Sequence, residues 1–247
     1  MGIPLGMTEK DYVISWLLKV IYENAHLKDA LIFKGGTALR KVYFPDTWRL
    51  SHDLDFTIIG GLDVGSIKDG FDEVFEALIM ETDMVLSFRS FHVTEGNIMA
   101  RTQFMGPLAH RNQIRADITL HEKLISDPEW RDVTTAYPDL PLFRVNAYAL
   151  NEILVEKIRS IIQRGKSRDY YDVWRLVKEH KFDMMKIREQ LIKKCEINNI
   201  HYKPNLIFDN ERLDSAKGYW KRTLVDLTKE LPEFDEAIHE LKKKLVL

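Results

Sequence analysis

The sequence has very little cysteine and no long apolar run. Cys195 is the one cysteine among 247 residues, which excludes an internal disulfide and a thiolate metal cluster. No run approaches the roughly 20 apolar residues that a membrane-spanning helix needs. The N-terminus also lacks the basic and then apolar pattern of a secretory signal peptide. We therefore expect a cytoplasmic protein with no membrane partner.

Several common catalytic motifs are also missing. The sequence contains no G-x-x-x-x-G-K-[ST] loop, no G-x-S-x-G elbow and no H-E-x-x-H helix, which argues against P-loop hydrolases, serine hydrolases and zinc metalloproteases. The composition is 45% apolar and 30% charged, as is typical of globular chains. A chain of 247 residues is long enough for one large domain or two small ones.

The net charge of −2 hides an uneven distribution of charged residues. Residues 1–150 carry 15 Lys and Arg against 21 Asp and Glu, a net −6, whereas residues 151–247 carry 21 against 17, a net +4. The basic half could meet polyanions, although a modest excess of one sign is usually a solvated surface.

A glycine pair follows a short apolar run near the start of the chain. Leu31-Ile32-Phe33 is typical of a buried strand, Gly35-Gly36 indicates a tight turn, and residues 37–43 indicate a short helix. Backbone amides at such a turn can cradle a phosphate. For these residues by themselves, an ordinary turn is the more common interpretation, because strand-Gly-Gly-helix turns occur in many proteins.

Two aspartates follow about one helix and a loop later. Asp53 and Asp55 lie two residues apart among strand-forming residues, so both carboxylates are expected on one face of a strand. That geometry suits a pair of hard divalent cations, which bind carboxylates and phosphate oxygens. A D-x-D sequence also occurs by chance in solvated loops, so the pair alone is not specific.

A region of period-two alternation comes next. Residues 84–94, 97–104 and 112–121 predict antiparallel strands, and in the last of these apolar residues alternate with Arg115, Asp117, Thr119 and His121. This pattern puts Asp117 on a polar face, where a sheet could bring it close to Asp53 and Asp55. The alternative is an exposed acid on an edge strand.

The spacing predicts two domains. Residues 126–148 contain Pro128, Pro138 and Pro141 and few periodic apolar positions, so they are expected to connect two parts, with the boundary near Phe143. Residues 1–143 are predicted to form an α/β domain of the α+β kind, a mixed sheet with flanking helices. Residues 144–247 are predicted to be helical, including helices at 183–197, 211–230 and 232–246.

The helical part begins with a basic segment. Lys157, Arg159, Arg164, Lys166 and Arg168 are followed directly by Asp169. These cations are consistent with a solvated helix end or with contacts to a triphosphate, where positive charge stabilises the developing negative charge of phosphoryl transfer. Farther on, Tyr219 and Trp220 lie among basic residues and could pack in the core or stack on a nucleobase.

Taken together and in this order, the motifs resemble those of a known enzyme family. The segments K-G-G-T-A-L (34–39), R-L-S-H-D-L-D-F (49–56) and V-E-K-I-R-S-I-I-Q-R-G-K-S-R-D-Y-Y-D-V (155–173) are similar to the motifs of the AbiEii-type nucleotidyltransferase toxins, within the polymerase-beta-like superfamily. The long aromatic insert between Gly36 and Asp53 departs from the wider superfamily and favours the narrower family.

The resemblance implies roles for particular residues. Asp53, Asp55 and Asp117 would be catalytic and hold the metal, with Asp117 as the third ligand and Mg²⁺, in two copies, as the expected ion, or Mn²⁺. Lys157 would be catalytic through the nucleotide phosphates, and Asp169 would be an essential acid that orients Lys157 or an acceptor hydroxyl. The expected nucleotide-binding residues are Lys34, Gly35, Gly36, Thr37, Ser51, Lys157 and Arg168.

The resemblance also implies a function. A nucleoside monophosphate would be transferred from an NTP to an acceptor, with the tRNA 3′ end favoured, and the helical domain would complete the nucleotide site. The chain would be the toxin of a toxin–antitoxin or phage-defence pair whose antitoxin is a separate protein. Two alternatives stay open: a small-molecule or protein hydroxyl as the acceptor, or an inactive nucleotide-binding protein.

Overall fold

A computed structural model describes residues 4–246, which form two compact units. The first unit contains the residues up to Glu122 together with Pro128–Tyr148, and the second contains Lys123–Asp127 and the residues from Ala149 onward. The boundary predicted near Phe143 lies a few residues before this change of unit. Among the described residues, no helix is both long and apolar enough to cross a membrane.

The first unit is built on a mixed sheet, as predicted. Its strands are β1 (Leu31–Lys34), β2 (Asp53–Ile58), β3 (Val85–Val93), β4 (Asn97–Met105), β5 (Arg111–Thr119), β6 (Glu129–Val133) and β7 (Phe143–Ala147). They lie in the order β3-β4-β5-β2-β1-β7-β6. The β2–β5 and β1–β7 pairs are parallel and the others are antiparallel, so the acid-bearing strands β2 and β5 are direct neighbours.

Three helical segments accompany this sheet: α1 (Leu5–Glu23), α2 (Gly35–Ala38), which continues into a π-helical turn (Leu39–Tyr43), and α3 (Val64–Thr82). Residues of α1 and α3 join the inward residues of β2, β4 and β5 in one apolar core. Along β4 and β5 apolar and polar residues alternate, so one face is buried and the other is open to solvent. Gly35 and Gly36 are the first residues of α2, whereas the sequence predicted that they form a turn that precedes a helix.

The predicted connection over residues 126–148 is wrong in part, because it contains β6 and β7. Strand β6 is an edge strand whose residues are largely exposed, so it lacks the apolar alternation that marks a half-buried strand. Strand β7 buries Phe143, Val145 and Ala147 but spans only five residues between loops. Strand β7 pairs with β1, which is distant in sequence, and among the described strands β6 pairs only with β7.

The second unit is helical, as predicted. It contains α4 (Leu150–Arg164), α5 (Ser167–Glu179), α6 (Met184–Ile197), α7 (Asn210–Leu224) and α8 (Phe234–Lys244), with short 3₁₀ segments at Pro204–Phe208 and Val225–Leu227. Gly165 ends α4 in the left-handed conformation, at φ 59°, which glycine adopts without strain. The chain then reverses into α5, so that α4 and α5 form a helical hairpin.

Candidate active site

Asp53 and Asp55 project from one face of β2, as the spacing predicts. Leu54 and Phe56, which alternate with them, are fully buried in the core of the first unit, while the two acids are half-buried. The strand thus uses its apolar residues for folding and leaves its carboxylates on the polar face.

Asp117 lies on the neighbouring strand at the same level as Asp55. In the parallel β2–β5 pair, Asp55 is the direct partner of Asp117 and Asp53 is the direct partner of Arg115. Neighbouring strands lie about 4.8 Å apart and partner side chains share one face of the sheet. The sheet therefore brings Asp117 beside Asp55, where the sequence suggested it.

The donor set fits a hard divalent cation. Two carboxylates directly opposite each other repel, and a cation that binds both removes this repulsion. Between Pro4 and Val246, no three His, Cys, Asp or Glu side chains converge closely enough to hold an ion alone, so a preformed site of three carboxylates is not present. Mg²⁺ typically takes one or two carboxylates plus water and substrate phosphate oxygens, a set that this face can offer.

Asp53 also has cations beside it. Its strand partner is Arg115, and Lys10 on α1 interacts with the charges of both. Burial lowers the pKa of Lys10, while Asp53 acts in the opposite direction and Arg115 adds to the lowering. Asp53 thus has positive charge nearby, and the register places Asp55 next to both Lys34 and Asp117.

The glycine pair is explained by the carboxylate that it contacts. Gly35 has φ +79°, and a Cβ there would lie 2.2 Å from Oδ2 of Asp55. At Gly36 a Cβ would lie 3.0 Å from both the Arg49 guanidinium and the Ser51 hydroxyl. The backbone therefore passes directly against the acidic strand, which only residues without a side chain permit.

Thr37 joins α2 to the start of β2. Its buried hydroxyl donates to the carbonyl oxygen of Asp53 and lies 3.0 Å from the Ser51 hydroxyl. These contacts fix the backbone from which Asp53 projects. The predicted nucleotide-binding residues Thr37 and Ser51 thus lie beside the acids, and the Thr37 side chain serves to position them.

Lys34 forms part of a buried polar network that sequence reasoning missed. Its ammonium lies 2.6 Å from the Glu122 carboxylate and 3.2 Å from the Thr119 hydroxyl. Glu122 also accepts from Tyr148, whose hydroxyl lies 2.6 Å from that of Thr57. The predicted nucleotide-binding side chain of Lys34 is therefore paired within the first unit. Glu122 follows β5 in a segment without periodicity, so no pattern in the sequence marked it.

His52 precedes β2 and is half-buried. Burial, aided by the nearby cations Lys10, Arg40 and Lys41, lowers its pKa to about 4. Its buried Nε2 atom has no hydrogen-bond partner in the described part of the chain. The imidazole is therefore neutral at neutral pH and adds no positive charge beside Asp53.

The predicted residues of the second unit lie in the α4–α5 hairpin. Lys157 forms an ion pair of 2.8 Å with the fully buried Asp172, and Arg164 donates to both carboxylate oxygens of Asp169 at 2.9 and 3.0 Å. Asp169 and Lys157 thus contact different partners, and the expected role of Asp169, toward Lys157 or toward an acceptor hydroxyl, stays a prediction. Across an antiparallel hairpin, residues near the turn face each other, so Arg164 meets Asp169, and the more distant Lys157 meets Asp172.

Two further predictions concern Arg168 and the aromatic pair Tyr219 and Trp220. Arg168 lies in the first turn of α5 with its side chain exposed. Trp220 is buried and its indole donates to the Pro232 carbonyl at 2.9 Å, which confirms core packing for this residue, while Tyr219 is 54% exposed. The structure thus brings together Lys34, Gly35, Gly36, Thr37, Ser51, Asp53, Asp55 and Asp117 in the first unit, and Lys157, Arg168 and Asp169 in the second.

Comparisons with known proteins agree with these motifs. The profile described as "Nucleotidyl transferase AbiEii toxin, Type IV TA system" matches residues 16–240. Among solved structures, the fold is similar to that of MenT4, a nucleotidyltransferase toxin from Mycobacterium tuberculosis H37Rv, with a TM-score of 0.71 and 18% identity over 97% of this chain and 82% of that one. The comparison with curated proteins gave no match. Since the family profile spans most of the sequence, the chain belongs to the AbiEii family of nucleotidyltransferase toxins of type IV toxin–antitoxin systems.

Proposed function

We propose that this toxin transfers a nucleoside monophosphate from an NTP to the 3′ hydroxyl of tRNA and releases pyrophosphate. The observation that carries the proposal is the pairing of Asp55 with Asp117 on adjacent parallel strands, with Asp53 two residues away and Gly35 directly against Asp55. A tRNA acceptor implies action in the cytoplasm, and the type IV family implies a cognate antitoxin as a second protein.

Asp53, Asp55 and Asp117 would hold one or two divalent cations, with Mg²⁺ as the proposed ion and Mn²⁺ as the alternative. Bound there, such ions neutralise phosphate charge and lower the pKa of an acceptor hydroxyl. The acceptor oxygen would attack the α-phosphorus of the NTP, and the bond from that phosphorus to the bridging oxygen would break. A carboxylate oxygen of Asp117 would accept the hydroxyl proton, and pyrophosphate would leave.

The remaining residues would bind and orient the nucleotide. Lys157, held by Asp172, would direct a compact positive charge at the triphosphate, where charge develops as pyrophosphate leaves. The exposed Arg168 would add a second phosphate contact, and the Arg164–Asp169 pair would fix the turn between α4 and α5. Gly35 and Gly36 would allow the phosphates to approach the acidic strand closely, and Thr37, Ser51 and Lys34 would hold the backbone and side chains around it.

Incubation with total RNA, Mg²⁺ and each radiolabelled NTP, followed by analysis of 3′ extension, tests the proposal. We expect labelled tRNA with the wild type and none with Asp55→Asn. Label on protein or on a small molecule instead of RNA would show that the acceptor is not tRNA, and the proposed nucleotidyltransferase activity would stand. No label on any fraction would indicate a nucleotide-binding protein without transferase activity.

A further inference from the structure

A basic groove lies on the open face of the sheet beside Asp117, entirely within the first unit. Its volume is about 360 Å³. The opposite face of the same strands is buried in the core, through residues such as Ile98 and Ile118. We call it the arginine groove, after the residues that line it with Asp117: Arg89, His92, Met99, Arg101 and Arg115.

The strand register arranges the arginines in a row that starts at the acids. Asp53 is the partner of Arg115, Arg115 is the partner of Arg101, and Arg101 is the partner of Ser90. Arg89 is the extra residue of a bulge in β3, between Phe88 and Ser90. At about 4.8 Å per strand, the row spans about 14 Å from β2 to β3.

These arginines form no ion pair with the acids beside them, Asp53 and Asp117. In the part of the chain that the structure describes, Arg89, Arg101 and Arg115 form no hydrogen bond or ion pair, and all three are exposed. Several basic residues elsewhere are paired with acids, such as Arg175 with Glu179, Lys217 with Asp235, and Lys221 with Glu233. A row of uncompensated guanidinium groups, whose planar forks match phosphate oxygens, is suited to a polyanion.

We propose that the arginine groove binds the phosphodiester backbone of a single-stranded RNA acceptor and directs its 3′ end to Asp117. This inference rests on the proposed function. The row is longer than one triphosphate requires, because its far end on β3 is three strands away from Asp53 and Asp55 and two strands away from Asp117. An NTP alone would therefore leave Arg89 and Arg101 unused. Met99, 46% exposed and paired with Asp117 on one side and His92 on the other, offers an apolar surface for a base.

The location differs from the one that charge counting favours. The second half of the sequence carries the excess of basic residues, but Lys217 and Lys221 form ion pairs with Asp235 and Glu233. The first half is acidic overall, yet it contains the unpaired row. The local arrangement of charges, and not their sum, therefore indicates where a polyanion would bind.

The test measures RNA binding by the full chain across a salt series. The probe is a short RNA with a 5′ fluorescein and a free 3′ hydroxyl. Its binding is measured by fluorescence anisotropy in the absence of NTP. The variant is Arg89→Gln with Arg101→Gln, and the matched control is Arg111→Gln, an exposed arginine on the same face of β5 that lies outside the groove. Because each phosphate contact with a single strand contributes about 0.7 to the log–log salt slope, losing two should reduce it by about 1.4.

We expect weaker RNA binding and a flatter slope in the double variant, with wild-type behaviour in Arg111→Gln. Arg101→Glu should weaken RNA binding further, while thermal stabilisation by NTP stays close to the wild-type value. If the wild type extends RNA but the double variant binds it with unchanged affinity and slope, the groove is not the acceptor site and the proposed function stands. Loss of neutralisation by the antitoxin in that same variant would identify the groove as a protein interface instead. If the wild type labels no RNA, the proposed acceptor itself fails.

Discussion

At the scale of single residues, Gly35 combines two constraints that can be separated. Its φ of +79° alone costs another residue about 1–2 kcal/mol, and a Cβ would also lie 2.2 Å from the Asp55 carboxylate. Gly61 has φ +75° with open space around its Cβ position, so it is a matched control. We expect Gly61→Ala to lower the free energy of unfolding by the backbone term alone and to keep transferase activity.

Gly35→Ala should lower stability further and abolish transfer, because Asp55 must move to avoid the new methyl group. Urea unfolding and RNA labelling of both variants check this expectation. Equal losses of stability with activity kept in both would show that the close approach to Asp55 has no catalytic consequence.

Asp117 offers a prediction about stability as well as activity. Replacement by Asn removes the like charge opposite Asp55, so the metal-free protein should be as stable as the wild type or more so, by about 0.2–1 kcal/mol. Transfer should be lost, and the thermal stabilisation by Mg²⁺ or Mn²⁺ should shrink. Glu95→Gln, at an exposed turn, is the control for removing one negative charge. An undiminished response to Mg²⁺ in Asp117→Asn would exclude Asp117 as a ligand.

At the scale of elements, the α4–α5 hairpin makes Asp172 a positioning residue for Lys157. Asp172→Asn should lower kcat/KM for the NTP about tenfold, as expected from losing a charge-assisted contact worth about 1.5 kcal/mol. Arg175→Gln, which removes an ion pair elsewhere on α5, should leave this ratio near the wild-type value. Steady-state kinetics at a series of NTP concentrations give kcat/KM for both variants. A purely structural role for Asp172 would lower the active fraction without changing the KM for NTP.

An ion pair between α1 and the π-helical turn predicts that the stability of the fold decreases at acidic pH. Burial alone would raise the pKa of Asp11, but Lys41, at 2.7 Å, and Arg40 hold it below its ordinary value of 3.8. The stabilisation is therefore complete above about pH 4 and is lost as the pH falls through the lower, folded-state pKa. In Asp11→Asn the free energy of unfolding should decline less steeply below pH 4. Urea unfolding at a series of acidic pH values measures this slope, and parallel slopes for both proteins would contradict the prediction.

Alternation along β2 and β5 is a local property, so the sequence sufficed to put Asp53, Asp55 and Asp117 on polar faces of strands. Register is not local: that Asp55 faces Asp117 while Asp53 faces Arg115 follows from pairing between segments sixty residues apart in sequence. The same reason applies to β7, which pairs with β1 far earlier in the chain, whereas β6, at the edge of the described sheet, pairs only with β7 and has too many exposed residues to show an apolar alternation. Glu122 and the bulged Arg89 acquire their partners and directions only in the folded sheet.

At the scale of the whole molecule, one buried ion pair attaches the segment Lys123–Asp127 to the helical unit. Lys194 and Glu152 are 0% and 1% exposed, with 2.8 Å between Nζ and Oε1. Lys194 also donates to the Lys123 carbonyl, and the other oxygen of Glu152 accepts from the amides of Ile125 and Ser126. The chain therefore leaves the first unit after Glu122, contributes five residues to the second, and returns at Pro128.

Removing one partner of this pair leaves a buried charge uncompensated. We expect Lys194→Met to lower the free energy of unfolding by about 3–5 kcal/mol, and the double change with Glu152→Gln to cost less than the sum of the two single changes. Lys217→Met, which breaks the exposed pair with Asp235, should change stability little. Urea unfolding gives the free energies, and amide exchange at Ile125 and Ser126 shows whether the segment detaches first. Additive losses of the free energy of unfolding, together with unchanged exchange at those amides, would contradict this prediction. The segment Lys123–Asp127 would then be held by its neighbours in the chain and not by the buried ion pair.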